Sequence, residues 1–218
     1  MESRPALDPY PLSPYVAWAG KRNRDPILEV FQTHFPSAGG DVLEFASGSG
    51  MHMNYFAPHF KQLRFQPSDM NTEVFEIVRR LRDEQGNVNV ADPVLLDLTK
   101  PESWPKPDAR RYDAIFCINI FQVAPVSIAD GMMQCAAMLL KPTGFLAIYG
   151  PFKIEGHYNT ASNESFDKEV RVAGVAEWGL KDVADLSKAA EQQGLRLQEQ
   201  IDMPANNFTL IFAKSQAS

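Results

Sequence analysis

The chain has 218 residues, 44% of them hydrophobic and 22% charged, with a formal net charge of −6 at pH 7. That length buries a core without disulfide or metal staples, and an acidic surface disfavours non-specific binding to nucleic-acid phosphates. No stretch approaches the roughly 18 apolar residues of a membrane span, and the mixed charges and prolines at the start do not read as a signal peptide.

Residues 1–24 are proline-rich and show no periodic pattern, so they read as an irregular N-terminal arm. Asp25 then stands as an N-cap with Pro26 at the first helical position, and Ile27, Leu28, Val30, Phe31 and Phe35 give an apolar helical stripe ending near Pro36. Asp41–Phe45 reads as a strand, residues 50–59 as a helix, 62–66 as a second strand and 72–85 as an amphipathic helix. Residues 93–96 form a third strand, and Tyr112–Ile118, nearly all apolar, a fourth that reads as buried on both faces. A helix over 128–140, a turn at 141–144 and a strand over 145–149 follow. The last helix covers 181–193, with Gly194 as its C-cap, and 195–201 and 208–213 make a hairpin.

Strands alternating with helices imply parallel units with right-handed crossovers. The expected fold is α/β: a doubly wound, mostly parallel, seven-stranded sheet with a C-terminal antiparallel hairpin, forming one domain over residues 25–218. Residues 151–178 lack a clear pattern but carry Phe152, Tyr158, Phe166 and Trp178, which predicts an ordered lid rather than a linker. Cys117 and Cys135 each sit in an apolar segment and read as small core side chains in a reducing, cytoplasmic compartment.

The most specific segment runs from Asp41 to Gly50: a buried strand feeding the small-residue loop Ala46-Ser47-Gly48-Ser49-Gly50, then a helix. A ligand presses on backbone only where side chains are absent, and a helix start offers unpaired N–H groups. Asp69 follows the second strand about 20 residues later, where dinucleotide folds place a ribose-binding carboxylate. Asp97 ends the third strand and Asn119 follows the fourth, so these groups converge beyond the carboxyl ends of the strands.

In these residues the chain resembles the class I S-adenosylmethionine-dependent methyltransferases. Glu44-Phe45-Ala46-Ser47-Gly48-Ser49-Gly50 is similar to their first motif, with Ala46 in place of its first glycine. The resemblance implies an S-adenosylmethionine site of Glu44, Ala46, Ser47, Gly48 and Gly50, with Gly48 and Gly50 backing the methionine part. It also implies Asp69 on the ribose hydroxyls, Asp97 with Leu98 at the adenine edge, and Asn119 facing the methyl. A closer resemblance is to an uncharacterised methyltransferase-like subfamily of bacteria and animals, carried by Arg22–Leu28, Ala46–His52, Gln66–Asp69, Cys117–Asn119, Tyr149–Phe152, Glu177–Leu180 and Asp202–Asn207.

Methyl transfer needs in-line positioning and, where the nucleophile carries a proton, a base. Asn119, Tyr149 and His157 are the candidate catalytic residues, with His52, Tyr158, Asp167 and Glu177 behind them, while Arg171 reads as a surface ion-pair partner. Asn23 or Arg24 of the arm is expected to reach the cofactor's carboxylate. The four histidines are scattered, so no metal site is expected. The expected activity is methyl transfer to a small molecule by a monomer or homodimer, with no membrane partner. A cofactor-binding module acting through a protein partner is the alternative, and an NAD-dependent oxidoreductase the third reading, weakened by Met53 where the fingerprint needs glycine.

Overall fold

The computed structural model describes residues 3–106, 111–173 and 177–215, so parts of the predicted arm (1–2) and lid (174–176) lie outside the described residues. A long helix α1 (Pro14–His34) precedes β1 (Gly40–Phe45), α2 (Met51–Phe56), β2 (Leu63–Asp69) and α3 (Phe75–Gln85). Then come β3 (Val94–Leu95), β4 (Tyr112–Ile118), α4 (Ile128–Leu139) and β5 (Leu140–Gly150). The chain continues through β6 (Lys153–Ile154), β7 (His157–Tyr158), α5 (Ala161–Ala173) and α6 (Val183–Gln192), and closes with β8 (Leu195–Met203) and β9 (Asn207–Lys214).

Seven strands form one sheet in the order β3-β2-β1-β4-β5-β9-β8. The pairs from β3 to β5 are parallel, whereas β9 runs antiparallel to both β5 and β8. The expected doubly wound sheet with its C-terminal hairpin is therefore present. Among the described residues no helix is long and apolar enough to cross a membrane.

The alternation of side chains along each strand divides the core between the two faces. Leu43, Phe45, Ile115, Cys117, Leu146, Ile148 and Leu210 pack on one side with α4 and α6. Val42, Ala114, Phe116, Ala147, Tyr149 and Ile211 pack on the other with α1 and α2. The second face is aromatic: Phe31 stacks on Phe35 at 4.4 Å and meets Phe56 edge-on at 5.2 Å. Both cysteines are free and buried, as expected.

Two segments differ from the sequence reading. The first helix starts at Ser13, whose Oγ accepts from the Val16 N–H at 3.1 Å, not at Asp25, and Pro26 lies inside it. A proline in a helix interior removes a backbone bond and costs about 3 kcal/mol. The helix nevertheless continues because Asn23, Ile27, Leu28 and Phe31 are buried along one face. The second part of the predicted irregular arm, from Pro14 on, is thus helical, and Asp25 instead accepts a hydrogen bond from the Tyr55 hydroxyl. Within 151–173, where the sequence showed no pattern, regular elements stand: β6 and β7 form a hairpin turned at Glu155 and Gly156, both left-handed with φ of 50° and 80°, followed by α5.

Candidate cofactor cleft

Beyond the carboxyl ends of β1, β2, β4 and β5 lies a cleft of about 990 Å³. Its floor is the loop between β1 and α2, where Ala46, Gly48 and Gly50 are left-handed with φ of 52°, 52° and 73°. Ala46 carries a Cβ in that conformation at a cost of about 1–2 kcal/mol. The loop is tied to β2 by three bonds: Ser47 N–H to the Ser68 carbonyl at 2.8 Å, Ser68 N–H to Ser47 Oγ at 3.0 Å, and Ser68 Oγ to the Glu44 carbonyl at 2.6 Å. A Cβ on Gly50 would stand 3.0 Å from a Val78 methyl, so glycine lets α3 close on the loop.

Asp69, at the end of β2, is only 6% exposed and lines the cleft. Its Oδ2 accepts from Gly48 N–H at 2.8 Å and its Oδ1 from Asn71 N–H at 2.9 Å, fixing the carboxylate against the glycine loop. Glu44 lies at the cleft floor with Oε2 buried and without a hydrogen-bond partner. Burial pushes its carboxyl up to about 8; the nearby Asp69 charge adds to the rise, and a Ser47 hydrogen bond opposes it.

That rise makes folding stability pH-dependent. Between pH 4.5 and about 8 the folded chain holds a proton that the unfolded chain has lost, so Glu44's contribution falls as pH rises. His52 acts oppositely: burial first, and then the Arg24 charge, lower its imidazole from 6.5 to about 4, so its contribution falls only below 6.5. From pH 6.5 to 8 only Glu44 of the two acts, and unfolding free energy is expected to drop by about 1.4 kcal/mol per pH unit at most. Urea melts of the wild type and Glu44→Gln check this: the variant's stability should stay flat across that window.

Three elements meet at the opposite wall. His52 Nε2 lies 2.7 Å from Asn23 Oδ1, and Tyr149 lines the same part of the cleft. Burial pushes the Tyr149 phenol up to about 12, opposed by the nearby Asn23 amide, so it stays protonated. Asn119 sits at φ 58° just past β4, its N–H bonded to the Tyr149 carbonyl at 2.9 Å. Gln122 Nε2 donates to the Asn119 carbonyl at 2.9 Å, while its Oε1 is buried without a partner.

The roof joins the N-terminal residues to α5. Leu7, Pro9, Pro11, Tyr15 and Trp18 face Phe166 and Glu169 across the opening. Arg4 bridges the two sides, donating to both Glu169 oxygens at 2.9 Å and lying 5.3 Å from the Tyr15 ring centre.

Glu44, Ala46, Ser47, Gly48, Asp69, Asn119, Asn23 and Tyr149 therefore line one cleft, with Gly50 shaping the loop behind it. Asp97 and Leu98 do not line it. The Asp97 carboxylate accepts from Thr99 N–H at 2.9 Å and Oγ1 at 2.6 Å and pairs with Lys100 at 3.1 Å, which caps its own loop. Arg24 also lies outside, its guanidinium 4.2 Å from the Tyr55 ring centre. His157 is exposed on β7, away from the cleft walls. Asp167 is buried, and although burial raises its carboxyl, bonds from Arg171, Tyr158 and the Leu180 N–H hold it below the ordinary range. Tyr158 and Asp167 thus anchor α5, Arg171 pairs as expected, and exposed Glu177 lends its carbonyl to Lys181. Tyr15, Trp18 and Gln122 line the cleft without having been singled out in the sequence, and Arg22, noted only as the start of Arg22–Leu28, lines it too. The Ser13-Pro14 pair, read as a helix start, would have brought Tyr15, Trp18 and Arg22 to it.

The family described as "Protein of unknown function (DUF938)" matches residues 14–214. Among solved structures, an O-methyltransferase family protein from Burkholderia thailandensis superposes with a TM-score of 0.75 at 17% identity, over 94% of this chain and 60% of that one. An O-methyltransferase family 2 protein from Planctomyces limnophilus, in complex with apigenin, gives 0.75 at 16% identity, over 92% of this chain and 60% of that one. An O-methyltransferase from neocarzinostatin biosynthesis, solved with S-adenosylmethionine and 2-hydroxy-5-methyl naphthoic acid, gives 0.72 at 12% identity, over 92% and 55%. The chain thus spans little more than half the length of each. The fold is that of the class I S-adenosylmethionine-dependent methyltransferases.

Proposed function

The chain belongs to the family described as Protein of unknown function (DUF938), and we propose that it binds S-adenosylmethionine in this cleft and transfers the methyl group to a small molecule. One observation carries the reading: a buried, partnerless carboxyl oxygen on Glu44 and a fixed carboxylate on Asp69 flank the same glycine loop. The amino group of the cofactor's methionine part suits the first, and ribose hydroxyls suit the lone pairs left on the second. Met70, 64% exposed beside Asp69 on the cleft wall, offers an apolar surface to the adenine in place of Asp97 and Leu98. The bound cofactor would supply an activated methyl. The chain's own part is to orient it, through Gly48 and Asn119, and to exclude water beneath the roof. Two buried free cysteines suit a reducing compartment.

S-Adenosylmethionine or its demethylated product at about 100 times its dissociation constant should raise stability by about 2.7 kcal/mol, or the melting temperature by roughly 5–11 °C for a chain of this size. NAD should leave it unchanged, since buried Met53 occupies the place of the third fingerprint glycine. A thermal shift with NAD alone would reverse the assignment. A second reading, a binding module without catalysis, is favoured by one observation: among the described cleft residues no side chain is a free base. Release of demethylated cofactor with a panel of acceptors separates the two.

A further inference from the structure

Among the described residues the cleft has no ready base for an acceptor's proton, and each titratable side chain in it shows why. Asp69 spends both oxygens on backbone N–H groups, and Glu169 is held at both oxygens by Arg4. Glu44 lies beneath the glycine loop and holds its proton to about 8. His52 meets the Asn23 oxygen through Nε2, which leaves Nδ1 as its basic nitrogen, but burial lowers the imidazole to about 4, a weak base. Burial also keeps the Tyr15 phenol protonated. Only two groups are left to greet an acceptor. Tyr149 lines the cleft with a phenol that burial keeps protonated, so it has an O–H to donate. Arg22 has no ion-pair partner among the described residues and rests 4.9 Å from the Trp18 ring centre. Both are donors, and the walls between them are the rings of Tyr15, Trp18 and Phe166.

Donors without a base call for an acceptor that arrives as an anion, and aromatic walls call for a flat one. We propose that the acceptor is a small aromatic carboxylate, held by the Tyr149 hydroxyl and the Arg22 guanidinium and methylated on oxygen without a general base. This rests on the S-adenosylmethionine reading above. A carboxylate suits the site better than a phenolate because one oxygen can take the Tyr149 hydrogen bond while the other attacks. In the transfer a carboxylate lone pair forms the O–CH3 bond as the C–S bond breaks. Its electrons return to sulfur, so carboxylate and sulfonium become a neutral ester and a thioether, and no proton is released.

The test uses the full chain loaded with S-adenosylhomocysteine and three matched probes: 2-naphthoate, 2-naphthol and 2-naphthylamine. Calorimetry at neutral pH should show naphthoate binding about 10- to 100-fold tighter than either other probe, the worth of one or two charge-assisted bonds. Tyr149→Phe and Arg22→Gln should each erode that preference about tenfold while leaving naphthol affinity unchanged, whereas a merely structural role would weaken all three probes. With S-adenosylmethionine, mass spectrometry should detect the methyl ester of naphthoate. Equal or tighter binding of naphthol or the amine, binding of none, or methylation only of those two overturns the proposal. If S-adenosylhomocysteine itself does not bind, that shows before any probe is added, and both readings fall.

Discussion

Asp69→Ala is expected to weaken S-adenosylmethionine binding by roughly 1–3 kcal/mol, about 5- to 150-fold, through loss of a charged acceptor for two ribose hydroxyls. Sequence reasoning alone, placing Asp69 at a strand end, expects folding to be nearly unchanged. The geometry corrects that expectation. The carboxylate also accepts from Gly48 N–H at 2.8 Å and Asn71 N–H at 2.9 Å, so its removal strands two backbone donors in a site only 6% exposed. A stability loss of about 1–3 kcal/mol should therefore accompany the binding loss. Asp69→Asn keeps the shape and one acceptor but sets an NH2 against the other N–H, so it should lose less stability than the alanine variant and also bind more weakly. Calorimetry together with denaturant melts on both variants separates the two roles. Wild-type affinity in folded Asp69→Ala would remove this residue from the site.

The sheet was legible because its strands carry strong local patterns. Tyr112–Ile118 is apolar on both faces save for Asp113 near its start, and the predicted and observed bounds coincide. The glycine loop and Asp69 were legible because close approach and a strand-end acid leave marks in sequence. What escaped notice did so for physical reasons. The start of α1 was masked by Asp25-Pro26, a convincing start signal that burial of Asn23 and Ile27 overrides. Helix α5 was masked because its inward face is half polar: Asn163, Asp167 and Val170 are buried at helical spacing, but only one of them is apolar. Asn163 is admitted by its bonds to Asn159 Oδ1 and the Asn206 carbonyl, Asp167 by three donors. Such partners lie far along the chain or depend on the fold, and no periodicity reveals them. The same holds for Asp97, whose position after β3 suggested a ligand while its oxygens were already taken by Thr99 and Lys100.

Gly131→Ala isolates a contact of this hidden kind. By helix propensity alone the change should stabilise α4 by about 1 kcal/mol, since glycine is a poor residue inside a helix. In the structure, however, a Cβ at this position would stand 2.0 Å from the Leu98 carbonyl oxygen and 3.0 Å from its carbon. Both obstacles are backbone, so no rotamer change relieves them, and α4 must move away from the loop that follows β3. The neighbours Met132, Met133, Cys135 and Ala136 are all fully buried, which means the displacement opens the core on that face. Overpacking of this sort costs about 1–3 kcal/mol or more, and the cost here should reach the upper end because helix and loop cannot both stay in place. A net loss of about 2–3 kcal/mol lowers the melting temperature of a chain this long by roughly 4–12 °C. Calorimetric melting checks it, with Gly86→Ala as the control. Gly86 is left-handed at φ 66° but meets nothing within 4 Å, so it should lose only the backbone term of about 1–2 kcal/mol. A melting temperature for Gly131→Ala at or above that of the wild type would mean that propensity prevails and that α4 does not rest on the Leu98 carbonyl.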